Sequence, residues 1–253
     1  MRTASVLGLR YLHVDLGSHK DGYPLSQEKV QQQIRQEAEE NNIEIVAMAL
    51  NDLCKNAFVK DEHKGIAYET LRRGVEAAHA MKISALTIPS FGSNLIQTKA
   101  DYEKTIEAYK YLCDLAGQQG VVVYMENVML PEELHDFMER VHADNLKLLY
   151  DSQNYHVVKG YDSAALLEQF MEEFDLGDFL HIKDGVDGMG NRYLGEGNSN
   201  VQSCIEVLKR KKHNGIIILE NSYTKIPAPK GGEGDPLAGV RKDLELLGEM
   251  FEK

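Results

Sequence analysis

FLHIKDG, residues Phe179–Gly185, is a short apolar run with one histidine lodged in it, closed by a lysine, an aspartate and a glycine. An imidazole near the centre of such a run, and two opposite charges at its end, need an explanation. Three other short runs end in a related way. VVVYME ends on Glu126, LKLLYD on Asp151 and GIIILE on Glu220, and FLH carries His181. Four consecutive strand candidates therefore each carry one metal-capable side chain near the C-terminal end.

Working outward, further runs of the same kind are YLHVDLG, IEIVAMAL and ISALTIP, each bounded by polar, Gly or Pro residues. Amphipathic stretches lie between them. SQEKVQQQIRQEAEENN spaces Val30, Ile34 and Ala38 by four and offers Ser26 as N-cap. TKADYEKTIEAYKYLCDLAGQQG puts Tyr102, Ile106, Tyr109, Leu112 and Leu115 on one stripe and stops at Gly120. PEELHDFMERVHADN places Pro131 in a first turn. DSAALLEQFMEEFD, NVQSCIEVLKRKKHNG and GDPLAGVRKDLELLGEMFEK follow the same logic.

A β-then-α unit every ~25–40 residues argues for a parallel sheet with helices outside it. The expected fold is a (β/α)8 TIM barrel in a single domain over residues 1–253, with the first strand missing. RTASVLGL, at the start, reads as the end of a helix running into a strand. A doubly wound sheet is the rival architecture, but no GxGxxG turn is present. TKIPAPKGGEGDP, rich in Pro and Gly, reads as a lid over a pocket.

Composition excludes several functions. Acidic residues number 40 and basic residues 28, for a net charge of -12, which opposes binding to nucleic acid or anionic membrane. Cys54, Cys113 and Cys204 are scattered, odd in number and form no CxxC pair, as in a reducing compartment. No signal-peptide core and no apolar run of about 18 residues is present. The expectation is a cytoplasmic protein with a small-molecule partner; self-association into a homo-oligomer is compatible with it.

Each strand-end residue has an ordinary reading taken alone: Asp151 can form a turn, His181 can be a hydrogen-bonded core residue, and Glu126 and Glu220 can simply close their strands. Four on successive strands of a parallel barrel meet on one rim, where barrel active sites sit. Burying three carboxylates together is unfavourable unless a cation compensates them. One divalent ion is the consistent answer, and three oxygens with one imidazole suit Mn, Mg, Co or Zn.

YMEN, LLYDSQNYHVVKG, LHIKDG, YLGEGN and IILEN, in that order and spacing, resemble the xylose isomerase-like sugar phosphate isomerase/epimerase family. That family includes ketose 3-epimerases, hydroxypyruvate isomerase, inosose dehydratase and apurinic endonucleases. The resemblance runs from Gly8 onward and implies Glu126, Asp151, His181 and Glu220 as metal ligands. It also implies that Lys183, Asp184 and the GEG turn line the substrate mouth. Two departures stand out: the family's first strand is absent, and a histidine that many of its epimerases carry is replaced by Asn154, with His156 two residues on.

The implied chemistry is isomerisation or epimerisation of a small sugar, ketose or sugar phosphate through a metal-stabilised enediolate. Glu126 and Glu220 are the expected acid/base pair, one on each face of the reacting carbon. Lys183 shares the strand parity of His181 and should point the same way, toward a substrate oxygen or a carboxylate. His13 alternates with Leu12 and Val14 and is a candidate substrate contact, as are Asn154, His156 and Arg192 in loops beyond the rim. The alternatives are an inosose dehydratase-like lyase and a non-catalytic binding protein derived from the family.

Overall fold

All seven apolar runs become strands in the computed structural model, which describes residues 1–226 and 235–252. They are β1 (Tyr11–Asp15), β2 (Glu44–Ala49), β3 (Ala85–Pro89), β4 (Val122–Glu126), β5 (Leu146–Leu149), β6 (Phe179–Ile182) and β7 (Ile216–Leu219). The helices are α1 (Arg2–Val6), α2 (Glu28–Glu40), α3 (Lys64–Met81), α4 (Lys99–Gly117) and α5 (Pro131–Val141), then α6 (Asn154–Lys159), α7 (Ser163–Glu173), α8 (Val201–Arg210) and α9 (Pro236–Glu252). The expected helix end before β1 is α1. Among the described residues there are seven strands. The stretch expected to form a lid lies largely outside them, at residues 227–234. Residues 1–148 and 149–253 form two compact units.

In the first unit the sheet runs in the order β1-β2-β3-β4-β5, and the β1/β2, β2/β3 and β3/β4 pairs are parallel. β3 is buried along its whole length, as a strand of a sheet covered on both faces must be. α3 reaches this sheet through small residues: a Cβ at Gly74 would lie 2.7 Å from the Leu50 side chain. Leu50, Leu71 and Leu86 have no exposure there. Each contributes roughly 1.5–3 kcal/mol by leaving water. α4 starts in a capping box. Thr98 Oγ1 accepts from the Asp101 N–H at 3.1 Å, and Asp101 Oδ2 accepts from the Thr98 N–H at 2.9 Å. Gly120, at φ +68°, turns the chain two residues past the C-cap Gln118.

Ser26 does not cap α2. Gln27 holds that position, and Ser26 Oγ donates instead to the Tyr23 carbonyl at 2.8 Å, closing the short turn before the helix. Asp15 is exposed, and its Oδ1 accepts from the Gly17 N–H at 2.7 Å, which turns the chain at the end of β1.

In the second unit β6 and β7 pair in parallel, with His181 opposite Ile218. Residues 150–152 run along the other side of β6. The His181 N–H donates to the Tyr150 carbonyl at 2.9 Å, and the Ser152 N–H donates to the His181 carbonyl at 3.2 Å. This puts Asp151 and His181 in a parallel bridge. β6 is wholly buried, whereas β7 is half-exposed throughout. Cys113 in α4 and Cys204 in α8 are buried, and desolvation pushes both thiols up to about 12, which suits packing and not nucleophilic chemistry. No described helix is long and apolar enough to cross a membrane.

Candidate metal centre

Three of the four strand-end residues lie in the second unit and converge. Asp151 follows β5, His181 lies inside β6, and Glu220 directly follows β7. Parallel pairing in register brings these positions to one end of three neighbouring segments. Asp151, His181 and Glu220 each offer a donor atom, all within 4.8 Å of one another. Asp151 and His181 are 1% and 4% exposed, while the Glu220 side chain keeps 42% of its surface open. His181 Nδ1 is 3.4 Å from Glu220 Oε2. Glu126 is the last residue of β4 in the first unit and is 7% exposed.

Backbone geometry orients Asp151. Its Oδ1 accepts from the N–H groups of Gln153 and Asn154, both at 2.8 Å, where the chain turns into α6. The carboxylate is thereby fixed with Oδ2 toward Lys183 Nζ at 3.2 Å. The ordinary reading of Asp151 as a turn former holds for Oδ1, while Oδ2 is turned toward Lys183. Lys183 Nζ also lies 2.5 Å from Glu220 Oε2. Burial opposes ionisation of Glu220, but the charges of Lys183 and His181 outweigh it and hold the carboxyl well below its usual range. The Lys183 backbone is clasped by Ser152, whose Oγ donates to the Lys183 carbonyl at 2.7 Å and accepts from its N–H at 3.0 Å.

The donor set fits a divalent ion. Ligands at about 2.0–2.2 Å from one ion stand at most about 4.4 Å apart. A spread within 4.8 Å is a small side-chain rotation away from that. Two carboxylates and an imidazole are a donor set compatible with a divalent ion such as Mn, Mg, Co or Zn.

Asp184 is used differently from the expectation. Its Oδ1 accepts from the N–H groups of Gly185 and Ser199 at 2.9 and 3.1 Å, and its Oδ2 from those of Gly195 and Gly197 at 2.9 and 3.0 Å. A carboxylate has about four acceptor positions, so none is left for a substrate. The GEG turn is glycine-rich because it wraps this carboxylate: a Cβ at Gly197 would fall 2.0 Å from Asp184 Oδ1. Asp184→Ala is expected to destabilise the chain by about 2–4 kcal/mol, through the loss of charge-assisted bonds that leaves buried N–H groups unmet. Urea unfolding measures that loss, and limited proteolysis should cut first within residues 185–199; unchanged values for both would show that the loop stands without its anchor.

The other candidates scatter. Asn154 and His156 are not on a loop but on α6, with Asn154 buried at its first position. His156 is half-buried and opens on a cavity of about 310 Å³ that Tyr161, Asp162, Asn198 and Asn200 also line. The Arg192 guanidinium donates to the Asn191 carbonyl at 2.8 Å, and the Arg192 backbone N–H donates to the Asp184 carbonyl at 3.2 Å. His13 lies on β1 in the first unit, half-buried and in register with Ala47.

Sequence reasoning missed the residues that brace the segment following β6. Ser152 fixes Lys183. Asn221 Oδ1 accepts from the Asp184 N–H at 2.9 Å, and its Nδ2 donates to Asp243 Oδ2 at 2.6 Å. Gln153 spans the 185–190 turn, donating to the Gly188 carbonyl and accepting from the Gly190 N–H, both at 2.8 Å. The available signal was position: Ser152 and Asn221 each directly follow a candidate ligand.

Residues 1–250 match the family described as the xylose isomerase-like TIM barrel. The chain belongs to this family. It is a family of enzymes, and its fold is the TIM barrel expected from the strand and helix order. Among characterised relatives, a protein of Actinoplanes sp. named 2-epi-5-epi-valiolone 7-phosphate 2-epimerase is 27% identical over 247 residues, covering 97% of this chain and 86% of its own. A D-allulose 3-epimerase of Methylomonas sp. superposes with a TM-score of 0.75 at 19% identity, over 98% of this chain and 89% of its own. The IOLI protein, solved with a binding zinc atom, gives 0.72 at 16% identity, over 99% and 91%. At these identities the two structures speak for the fold.

Proposed function

We propose that this chain is a divalent-metal-dependent isomerase or epimerase of a small sugar, ketose or sugar phosphate, acting by proton transfer. The observation that carries the reading is the convergence of Asp151, His181 and Glu220 at the tips of adjacent segments, in a member of the xylose isomerase-like TIM barrel family. The relative in Actinoplanes, named as an epimerase of a phosphorylated compound, supports the reaction class. Glu126, which ends the fourth strand, is proposed as the fourth ligand, because it stands at the same place on its strand as the others do on theirs.

A bound divalent ion supplies Lewis acidity toward a carbonyl and its neighbouring hydroxyl, which makes the C–H between them acidic. Glu220 and Glu126 are proposed to exchange the proton, one on each face of that carbon. Glu220 is placed for this work: its side chain is open to solvent on one side while it pairs with Lys183 on the other. Lys183 is proposed to polarise a substrate oxygen, and His13, Asn154, His156 and Arg192 to contact the sugar. Asp184 serves the same pocket by shaping the turn around it.

Incubation of the metal-loaded protein with a panel of ketoses and ketose phosphates in deuterium oxide tests the reading. The expected result is deuterium at the carbon next to the carbonyl, in recovered substrate and in its epimer or isomer. A keto-deoxy product would show loss of water instead, as in a dehydratase, and would overturn the isomerase assignment.

A further inference from the structure

Lys183 occupies a place that a metal ligand set does not need filled. Its Nζ bridges two oxygens, Glu220 Oε2 at 2.5 Å and Asp151 Oδ2 at 3.2 Å. Both residues belong to the group that can hold a divalent ion. An ammonium at hydrogen-bonding distance from two carboxylates stands where a cation shared by them would stand. The lysine is buried, at 7% exposure, so no bulk water replaces it as a counter-charge. Its backbone is fixed on both sides by Ser152, so only the four-carbon stem is left to move.

We propose that Lys183 is an internal counter-cation: it holds the Asp151 and Glu220 carboxylates together in the metal-free protein and is displaced from them when the divalent ion binds. The inference rests on the reading of Asp151, His181 and Glu220 as ligands. Two carboxylates this close, the one on Asp151 buried, repel each other when no cation stands between them, which destabilises a fold. Lys183 removes that difficulty before any ion arrives. The same arrangement makes the ion compete for its seat, since both cations demand the same oxygens. Displacement also frees the ammonium to swing toward a ligand oxygen. The metal-free protein is then folded and closed by its own lysine, and only the loaded protein has an amine to offer to a substrate.

The test compares the wild type, Lys183→Met and Lys183→Arg, each stripped of metal and then titrated calorimetrically with Mn²⁺, Co²⁺ and Zn²⁺, with melting followed before and after. Lys183→Met keeps the stem and removes the charge. It is expected to melt below the wild type when metal-free, to bind the ions at least about tenfold more tightly, and to match the wild type once saturated. Lys183→Arg keeps the charge and should return the metal-free melting point toward that of the wild type. A second measurement needs no variant. Reductive methylation of Lys183 in the wild type, read by peptide mass, should speed up when the ion is added. Equal or weaker metal binding by Lys183→Met, or methylation that the ion does not change, overturns the counter-cation role while leaving the ligand set standing. No metal binding by any of the three chains overturns both.

Discussion

Exhaustive chelation is expected to lower the rate of substrate C–H exchange by at least about 10³-fold, with recovery on adding back Mn²⁺, Co²⁺ or Zn²⁺. The size follows from what the ion supplies: charge stabilisation worth several kcal/mol at a developing oxyanion, with each 1.36 kcal/mol being tenfold in rate. Chelation should not unfold the protein. Ion present at about a thousand times its dissociation constant adds only about 4 kcal/mol to stability, so the melting point falls and the fold remains. Lys183 between Asp151 and Glu220 is the reason the stripped site does not fly apart. Far-UV circular dichroism together with the exchange assay separates these effects. Full exchange after the ion has been removed would mean that Asp151, His181 and Glu220 do something other than hold a metal.

What the sequence made legible follows from where the physical signal is strong. All seven strands could be read, because a strand buried on both faces is a short, nearly continuous apolar run with polar ends, and β3 and β6 are that case. The strand ends could be read because charge at the edge of such a run is conspicuous. α3, although 18 residues long, was not read as a helix from the sequence. Its buried face interleaves Leu71, Val75 and Met81 with Ala67, Thr70, Gly74, Ala77 and Ala78, and the small residues thin the apolar stripe on which a periodicity argument depends. α6 is six residues, too short for any period, so Asn154 and His156 looked like loop residues. The bonding of Asp184 was hidden for another reason. The family resemblance placed it at the substrate mouth, and nothing local shows that its partners include N–H groups 11 to 15 residues further on. Long-range backbone bonds to a side chain leave no composition signal except the glycines that make room for them.

Glu126→Gln and Glu220→Gln are expected to lower epimerisation or isomerisation by about 10²–10⁴-fold each, the range that one general acid or base contributes. The more telling result lies in the proton exchange. If each carboxylate serves one face of the reacting carbon, either variant keeps one working base. That base still removes the proton from the epimer it faces and returns deuterium to the same side. Each single variant should therefore exchange one epimer with solvent while failing to convert it, and the two variants should prefer opposite epimers. The double variant should lose conversion no further than the worse single one, because an acid and a base that act as a unit are lost together. Metal content has to be measured on the same samples, since both residues are also proposed ligands. Glu220→Gln carries an additional consequence, because it removes a carboxylate that pairs with Lys183 Nζ and lies 3.4 Å from His181 Nδ1. A Glu220→Gln protein that binds metal normally and still exchanges and converts both epimers would place the base elsewhere and reduce Glu220 to a partner of Lys183. Loss of exchange in step with loss of metal would make it a ligand alone. Exchange of one epimer with the ion retained is the pattern that only a base on a single face produces.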